Sequence, residues 1–193
     1  MQDRMNAEAE TGATAVLGAG DAERVTLKGH YSAECIGADG KVKWRDEFDN
    51  TVVTVGKNLA LDTFLAGSGY TVTGPYMGLI SSVSYSAISA GDTMSSHAGW
   101  TEAGNANAPT YTSPRKTCAW SAASSGSKAL SSPLSFAITG AGTLKGAFIV
   151  FGSGAVSTID DTSGTLLSAG LFSAGDRAVI NGDTVNVSYS LSL

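Results

Sequence analysis

The chain has 193 residues, with 42% apolar and 15% charged residues and a formal net charge of −5. This length suits one domain, or one domain with an arm, and the apolar fraction excludes a wholly disordered chain. The acidic balance and the scattered Lys and Arg residues disfavour nucleic-acid and membrane-surface partners, because both require a basic patch. No apolar run approaches the roughly 18 residues that a transmembrane helix needs.

The first 23 residues are rich in Ala, Gly and Glu and show no sustained hydrophobic period. This composition predicts an extended or flexible N-terminal arm, residues 1–23, ahead of a single β-sandwich domain, residues 24–193. Two interpretations of the arm stay open: a floppy terminus, or a segment that orders against a neighbouring subunit. Residues 1–8 contain no apolar core, so we expect no secretory signal and a reducing compartment.

Alternating apolar residues predict a β-hairpin at the start of the domain. Apolar side chains favour one parity over residues 25–35, and the Asp-Gly turn at 39–40 is a strong hairpin signal. The return strand is predicted at 42–48, and a second short strand at 51–55. His30 falls on the opposite parity and is expected to face solvent.

One short helix is predicted at residues 59–66. Asn58 is placed to cap its N-terminus, and Gly67 is placed to end it in a left-handed conformation. Three apolar side chains share one face of this helix at three- and four-residue spacing, namely Leu61, Phe64 and Leu65.

A short apolar strand is predicted at 76–80, after which periodicity fades between residues 86 and 114. An irregular stretch of this length is usually functional or part of an interface. One helical turn is predicted within it, at 92–97. Further strands are predicted at 116–122, 134–139, 144–151, 165–171 and 177–180.

The last eleven residues, 183–193, alternate polar and apolar side chains without a slip, which is typical of a strand with one buried face. The apolar face consists of Val185, Val187, Tyr189, Leu191 and Leu193. Residues 146–151 are almost continuously apolar and predict a central strand covered on both faces. The pattern predicts an all-β fold: an antiparallel β-sandwich or jelly-roll-like barrel of eight to ten strands with one short helix.

Cys35 and Cys118 permit a disulfide, but we expect two buried free thiols because the compartment is expected to be reducing. Trp44 and Trp120 alternate with other apolar residues and are predicted to pack in the core. Trp100 lies in the irregular stretch, where core and interface positions are both open.

No constellation in the sequence indicates an enzyme or a metal site. Only His30 and His97 are available as bases, and the Gly-x-Ser-x-Gly motif of a nucleophile elbow is absent. Asp160, Asp161 and Asp183 are typical of turns rather than of a calcium loop. We therefore expect no catalytic residue, no cofactor and no metal.

The other acidic residues of the sequence offer no convincing pair of carboxylates for glycoside hydrolysis. Asp46, Glu47 and Asp49 are expected to form a solvated, charged strand edge that resists unwanted pairing. Glu102 follows Trp100 closely and has no evident partner in the sequence. The glycine-rich run at 140–146 is predicted to be a turn between strands, because its glycine spacing does not fit a phosphate loop.

The run Asn-Thr-Val-Val-Thr-Val-Gly-Lys-Asn-Leu-Ala-Leu-Asp at 50–62, after Gly-Lys-Val-Lys-Trp at 40–44, resembles a recurrent segment of virion structural proteins of tailed bacteriophages. Further similar segments are 78–80, 92–94, 99–102 with Tyr111, 115–116, 167–172 and 182–189. The resemblance covers about residues 28–193 and brings no catalytic residues with it.

The resemblance implies a non-enzymatic capsid decoration (cement) protein that binds and stabilises the major capsid lattice. Its partners would be the major capsid protein and neighbouring copies of itself, and its location would be the virion. The alternative is a tail or head-fibre component that contacts the host surface. A third, enzymatic hypothesis is a depolymerase or lysin. We expect four residues to contact the partner, namely Met94, Trp100, Glu102 and Tyr111.

Overall fold

The computed structural model of the chain describes residues 26–65 and 73–192, apart from the side chain of Phe64. The predicted arm, residues 1–23, lies outside the described residues, as do Gly67 and Leu193. In chain order, the described elements are β1 Lys28–Ile36, β2 Val42–Val52, α1 Thr54–Leu65, β3 Tyr76–Ser81, β4 Thr101–Glu102, β5 Lys116–Thr117, β6 Ser127–Ala129, β7 Leu134–Ala137, β8 Gly142–Phe151, β9 Thr165–Leu171, β10 Arg177–Val179 and β11 Thr184–Ser192.

The strands form an antiparallel, sandwich-like fold, which confirms the predicted class. In one layer β1 lies between β2 and β11, and β11 also pairs with β6 and β7. In the other layer β8 lies between β3 and β9. Strand β2 belongs to both layers, because residues 42–49 pair with β1 and residues 50–52 pair with β9. The described residues hold eleven strands rather than eight to ten, since some span only two or three residues.

The main core fills the space between the two layers. Tyr31 and Cys35 from β1 belong to the same buried core as Leu79 and Ile149 from the opposite layer. The predicted inward face of the closing strand is confirmed for its first three members, because all are buried in this core; they are Val185, Val187 and Tyr189. Leu191 packs against the same core but is only partly buried.

A second core lies on the outer face of the β8–β9 layer. Phe148 and Leu166 pack there against Met94 and Trp100 from the irregular segment and against Val53 at the entrance to α1. Strand β8 is therefore covered on both faces, as its continuous apolar run predicted.

The helix begins earlier than predicted. It spans Thr54–Leu65, so Asn58 lies inside it and the predicted strand at 51–55 ends at Val52. The backbone N–H of Lys57 donates to the carbonyl of Val53 at 3.0 Å, which makes Val53 the capping position. The predicted boundary between strand and helix was wrong because β-branched residues favour strands locally. In a short segment, packing against the rest of the fold decides the conformation.

A close approach to β9 fixes the first turn of α1. A Cβ added to Gly56 would lie 2.5 Å from the carbonyl oxygen of Leu167. The N–H of Val53 also donates to the Leu167 carbonyl at 3.2 Å. Only glycine lets the helix start this close to the strand, so the helix is positioned by the sheet.

Several smaller predictions changed. The segment predicted as a helical turn at 92–97 is a tight turn in which Thr93 and Ser96 exchange backbone hydrogen bonds of 3.0 and 3.2 Å. The strand predicted at 116–122 is regular only over Lys116–Thr117. Strand β8 begins at Gly142, so the turn predicted at 140–146 is shorter than expected.

Other predictions were confirmed: both cysteines are free and buried, and His30 is exposed. Trp44 and Trp120 pack against the main core, although each stays partly exposed. Among the described residues, no helix has the length and apolar character needed to span a membrane.

Candidate functional site

The structure buries all four residues that were expected to contact a partner. Met94 and Trp100 lie in the second core, Tyr111 lies in the main core, and Glu102 is buried beside them. In the isolated chain these side chains belong to the interior and offer little surface to a partner, so their predicted role at an interface stays a prediction. They are buried because the irregular segment folds back over β8 and supplies the core with its aromatic side chains.

Glu102 has a partner that the sequence did not reveal. Arg115 donates from Nε to Glu102 Oε1 at 2.9 Å and from Nη2 to Oε2 at 2.6 Å, which is a bidentate ion pair. The Arg115 side chain is 0% exposed. Its guanidinium lies 5.4 Å from the ring centroid of Phe148, so the pair is set against the second core.

Arg115 also binds the loop between β8 and β9. Arg115 donates from Nη1 to the carbonyl of Val156 at 3.3 Å and from Nη2 to the carbonyl of Asp161 at 2.7 Å. The backbone N–H of Asp160 donates to Glu102 Oε2 at 2.8 Å. Asp160 adopts a left-handed conformation with φ of 66°, which costs free energy in a residue other than glycine. The pair therefore joins β4, the segment before β5 and the loop before β9.

The hydrogen bonds of the pair are made to other groups of the fold. Both oxygens of Glu102 already accept hydrogen bonds, and Arg115 has four acceptors for its five donors. Burial raises the pKa of Glu102, and the hydrogen bonds and charge of Arg115 offset this only in part. Glu102 accepts three hydrogen bonds in all, one at Oε1 and two at Oε2, out of the roughly four that a carboxylate can accept.

Trp100 organises the segment that covers the second core. Its ring stacks on His97 with a centroid distance of 4.0 Å, and its Nε1 donates to Asp92 Oδ2 at 3.0 Å. His97 Nδ1 lies 3.0 Å from the carbonyl oxygen of Trp100. Because a carbonyl only accepts, this nitrogen carries the hydrogen.

Tyr111 lies near Glu102 in the main core. Its ring meets Phe136 edge-on at 5.1 Å, and Lys116 Nζ lies 5.7 Å from the Tyr111 ring centroid. The hydroxyl is buried beside Glu102 without a hydrogen bond of normal geometry. Burial, together with the negative charge of Glu102, raises the pKa of Tyr111, so the hydroxyl stays protonated at neutral pH.

A small depression opens above this cluster. It holds about 130 Å³, and Trp100, Glu102 and Arg115 contribute to its walls together with Asp160 and Asp161. This volume accommodates several waters, since one water needs only about 10–15 Å³ measured in this way. Within residues 26–65 and 73–192, no three His, Cys, Asp or Glu side chains are grouped so that they would hold a metal ion.

A second buried arginine–carboxylate pair corrects the prediction of a solvated strand edge. Glu47 and Asp49 are exposed as expected, but the Asp46 side chain is 0% exposed and binds Arg177. Asp46 also accepts hydrogen bonds from the N–H of Ser173 at 3.0 Å and from its hydroxyl at 2.6 Å. Residues 42–49 of β2 pair with β1 on one edge. On the other edge Arg177 Nη2 donates to the carbonyl of Arg45 at 3.2 Å.

The two thiols have no nucleophilic character at neutral pH. Burial raises the pKa of Cys35 to about 11, with the Asp183 charge adding to the effect. Burial also raises the pKa of Cys118 to about 12. A thiol with such a pKa is almost entirely protonated at pH 7, so both behave as small core residues.

The described residues form an antiparallel, sandwich-like β fold in which Arg115 and Arg177 pair with carboxylates of the same chain. Comparisons with protein-family models, with curated proteins and with solved structures give no match.

Proposed function

We propose that the chain is a non-enzymatic virion structural protein of a tailed bacteriophage, and that it serves as a capsid decoration (cement) protein. Its partners would be the major capsid protein and neighbouring copies of itself. The observation that carries the proposal is the resemblance of residues 50–62 and the later segments to virion structural proteins.

The resembling segments hold residues on which this fold depends. Residues 50–62 span the end of β2 and the start of α1, where the two layers join. Residues 99–102 and 115–116 contribute Trp100, Glu102 and Arg115 to the buried cluster. A resemblance that falls on fold-determining residues supports a shared scaffold more than a shared active site.

The contact surface would consist of side chains other than the four buried ones. Exposed apolar residues can anchor an interface when a partner covers them. Large apolar side chains that are exposed in the described structure are Val42, Leu61, Leu65, Val83, Val156 and Ile180.

Counting copies in purified particles tests the proposal. A decoration protein should be present in hundreds of copies, and particles that lack it should lose their genome at a lower temperature. Adding the purified protein back should restore the thermal stability. The matched control is the Arg115→Met variant, which should fail to restore it if the fold is needed for binding.

A handful of copies, located at the tail tip by labelling, would contradict the decoration role and favour the tail or head-fibre alternative. Polysaccharide or peptidoglycan cleavage that is lost in Glu102→Gln would contradict both structural roles.

A further inference from the structure

A cleft opens on the outer face of the β8–β9 layer, at the point where β2 changes layers. The β2–β9 ladder ends at the pair of Asn50 and Gly170, and the preceding residue of β2, Asp49, pairs with β1. Residues 49, 51, 85–88 and 169–171 line this β2 cleft, which holds about 320 Å³. The volume lies at the lower end of the range of small-molecule sites, about 300–1,000 Å³.

Backbone hydrogen bonds fix both sides of the β2 cleft. On one side, Thr51 is held in the β2–β9 ladder opposite Ala169. On the other side, the N–H groups of Ser86 and Ala87 donate to the carbonyl of Gly99 at 2.7 and 3.1 Å. A Cβ at Gly99 would overlap the carbonyl oxygen of Ala87, so this contact requires glycine. A cleft with fixed sides loses little conformational entropy when a ligand binds.

Three polar groups of the β2 cleft have capacity for further hydrogen bonds. His30 Nδ1 lies 2.9 Å from Asp49 Oδ1, and no described residue donates to Asp49 Oδ2. The hydroxyls of Thr51 and Tyr85 make no hydrogen bond to any residue within 26–65 and 73–192. An ionised carboxylate only accepts hydrogen bonds, whereas a hydroxyl both donates and accepts. The cleft therefore suits a ligand that carries several hydroxyl groups.

Apolar side chains complete the β2 cleft. Ile88 and Leu171 line it, and the Tyr85 ring packs against the second core with Lys145 Nζ 4.7 Å from its centroid. The ring is thus held in place, and its hydroxyl is the group left for a ligand. Among the described residues that line the cleft, Asp49 alone carries a charge, so an anionic ligand would be repelled.

We propose that the β2 cleft binds one ring of an uncharged saccharide. A pyranose ring has apolar C–H faces and a rim of hydroxyls, which matches a cleft that combines apolar side chains with a carboxylate and two hydroxyls. Asp49 Oδ2 accepts hydrogen bonds from the sugar hydroxyls, and Ile88 packs against a C–H face. The hydroxyls of Thr51 and Tyr85 bond to the remaining sugar hydroxyls. This inference does not depend on the proposed function.

Amide chemical shifts of the full-length chain test the site. The probes are the methyl pyranosides of glucose, galactose, mannose and N-acetylglucosamine, each added up to tens of millimolar. At least one of the four should shift the amides of residues 49–51, 85–88 and 169–171. The dissociation constant should lie in the millimolar range, because a single ring makes few contacts.

Conservative variants test the roles of the three polar groups. Asp49→Asn should weaken binding by about tenfold or more, because it removes the charged acceptor. Thr51→Val and Tyr85→Phe keep the shape of the side chain and should each weaken binding about threefold. Glu47→Gln is the matched control: Glu47 is an exposed acid on the same strand, outside the cleft, and its loss should leave binding unchanged. Unchanged amide shifts away from the cleft show that each variant folds.

Three outcomes overturn the inference. The absence of shifts in these amides with all four pyranosides would show that the β2 cleft does not take a sugar ring. Full binding by Asp49→Asn would remove the carboxylate from the site. Tighter binding of N-acetyl-lysine methylamide than of any pyranoside at these residues would assign the cleft to a basic side chain of a protein partner.

Discussion

The two buried arginine–carboxylate pairs differ in the hydrogen-bond donors that surround the carboxylate. Asp46 receives hydrogen bonds from Arg177, from the N–H and hydroxyl of Ser173 and from the N–H of Ala174. Glu102 receives them from Arg115 and from one backbone N–H, that of Asp160.

The difference in donors sets the direction of the two pKa shifts. Burial raises the pKa of both carboxyls, but at Asp46 the hydrogen bonds from Ser173, Arg177 and the backbone outweigh it, and the net pKa is lowered. At Glu102 burial prevails and the net pKa is raised. The arginine lowers the pKa of both carboxyls, but only at Asp46 do further donors, the hydroxyl and N–H of Ser173 and the N–H of Ala174, bring the net pKa below its usual value.

Removing Arg115 should have the largest effect. Arg115→Met leaves the Glu102 charge buried without its cation and should lower the free energy of unfolding by about 3–5 kcal/mol. The double change Glu102→Leu with Arg115→Met should recover most of the loss, because a well-packed apolar pair often replaces a buried ion pair at little cost. Urea denaturation measures both, and a double variant as unstable as the single one would contradict this account.

Removing Asp46 should cost less than removing Arg115. Asp46→Asn keeps the shape but weakens the bonds to Arg177, whose side chain is partly exposed and can be hydrated. We expect a loss of about 1–3 kcal/mol in the free energy of unfolding. A loss equal to that of Arg115→Met would show that the solvent access of the arginine is not what separates the two pairs.

The two carboxyls should make the free energy of unfolding change with pH in opposite directions. The Asp46 contribution is fully present above its unfolded-state pKa, about 3.9, and is lost as pH falls through the lower folded-state pKa. Glu102 has a raised pKa, so its contribution is greatest below its unfolded-state pKa, about 4.3, and declines as pH rises through the folded-state pKa.

Between about pH 3 and 6, Asp46→Asn should therefore flatten the rise of stability with pH, and Glu102→Gln should steepen it. Denaturation midpoints measured across this range give both slopes, and slopes that change in the same direction would refute the assignment.

The smallest effect is expected at an exposed pair that serves as the control for the other two. Glu34 accepts a hydrogen bond from Arg45 Nε at 3.2 Å on the outer side of β1 and β2. Glu34→Gln should change the free energy of unfolding by less than about 0.5 kcal/mol, because exposed ion pairs contribute little. A change above 1 kcal/mol would mean that the outer face of this layer is more tightly coupled than its exposure indicates.

The strand framework was predictable because period-2 alternation reports burial directly. The inward face of β11 and the continuous apolar run of β8 both followed from this signal. The start of α1 was not predictable, since Val53, Thr54 and Val55 favour a strand locally and only the approach to β9 makes them helical.

The buried pairs were harder to predict, but one of them left a signal. Trp44, Asp46 and Phe48 share a parity in β2, so an acid placed between two inward-facing aromatic residues already indicated a buried charge. Glu102 and Arg115 are separated by an aperiodic stretch, and no local pattern indicates that their side chains meet. The aromatic residues of that stretch suggested an interface for the same reason: without periodicity, an interior side chain cannot be told from an exposed anchor.

Strand β2 has a consequence for how the molecule resists force. Residues 42–49 of this strand pair with β1 and residues 50–52 pair with β9, so separating the two layers would break its pairing with one of these neighbours. A stretching experiment that pulls on the two ends of the sandwich would have to shear this one strand from one neighbour or the other. We expect a single rupture event instead of stepwise opening, with the load carried by the shared strand.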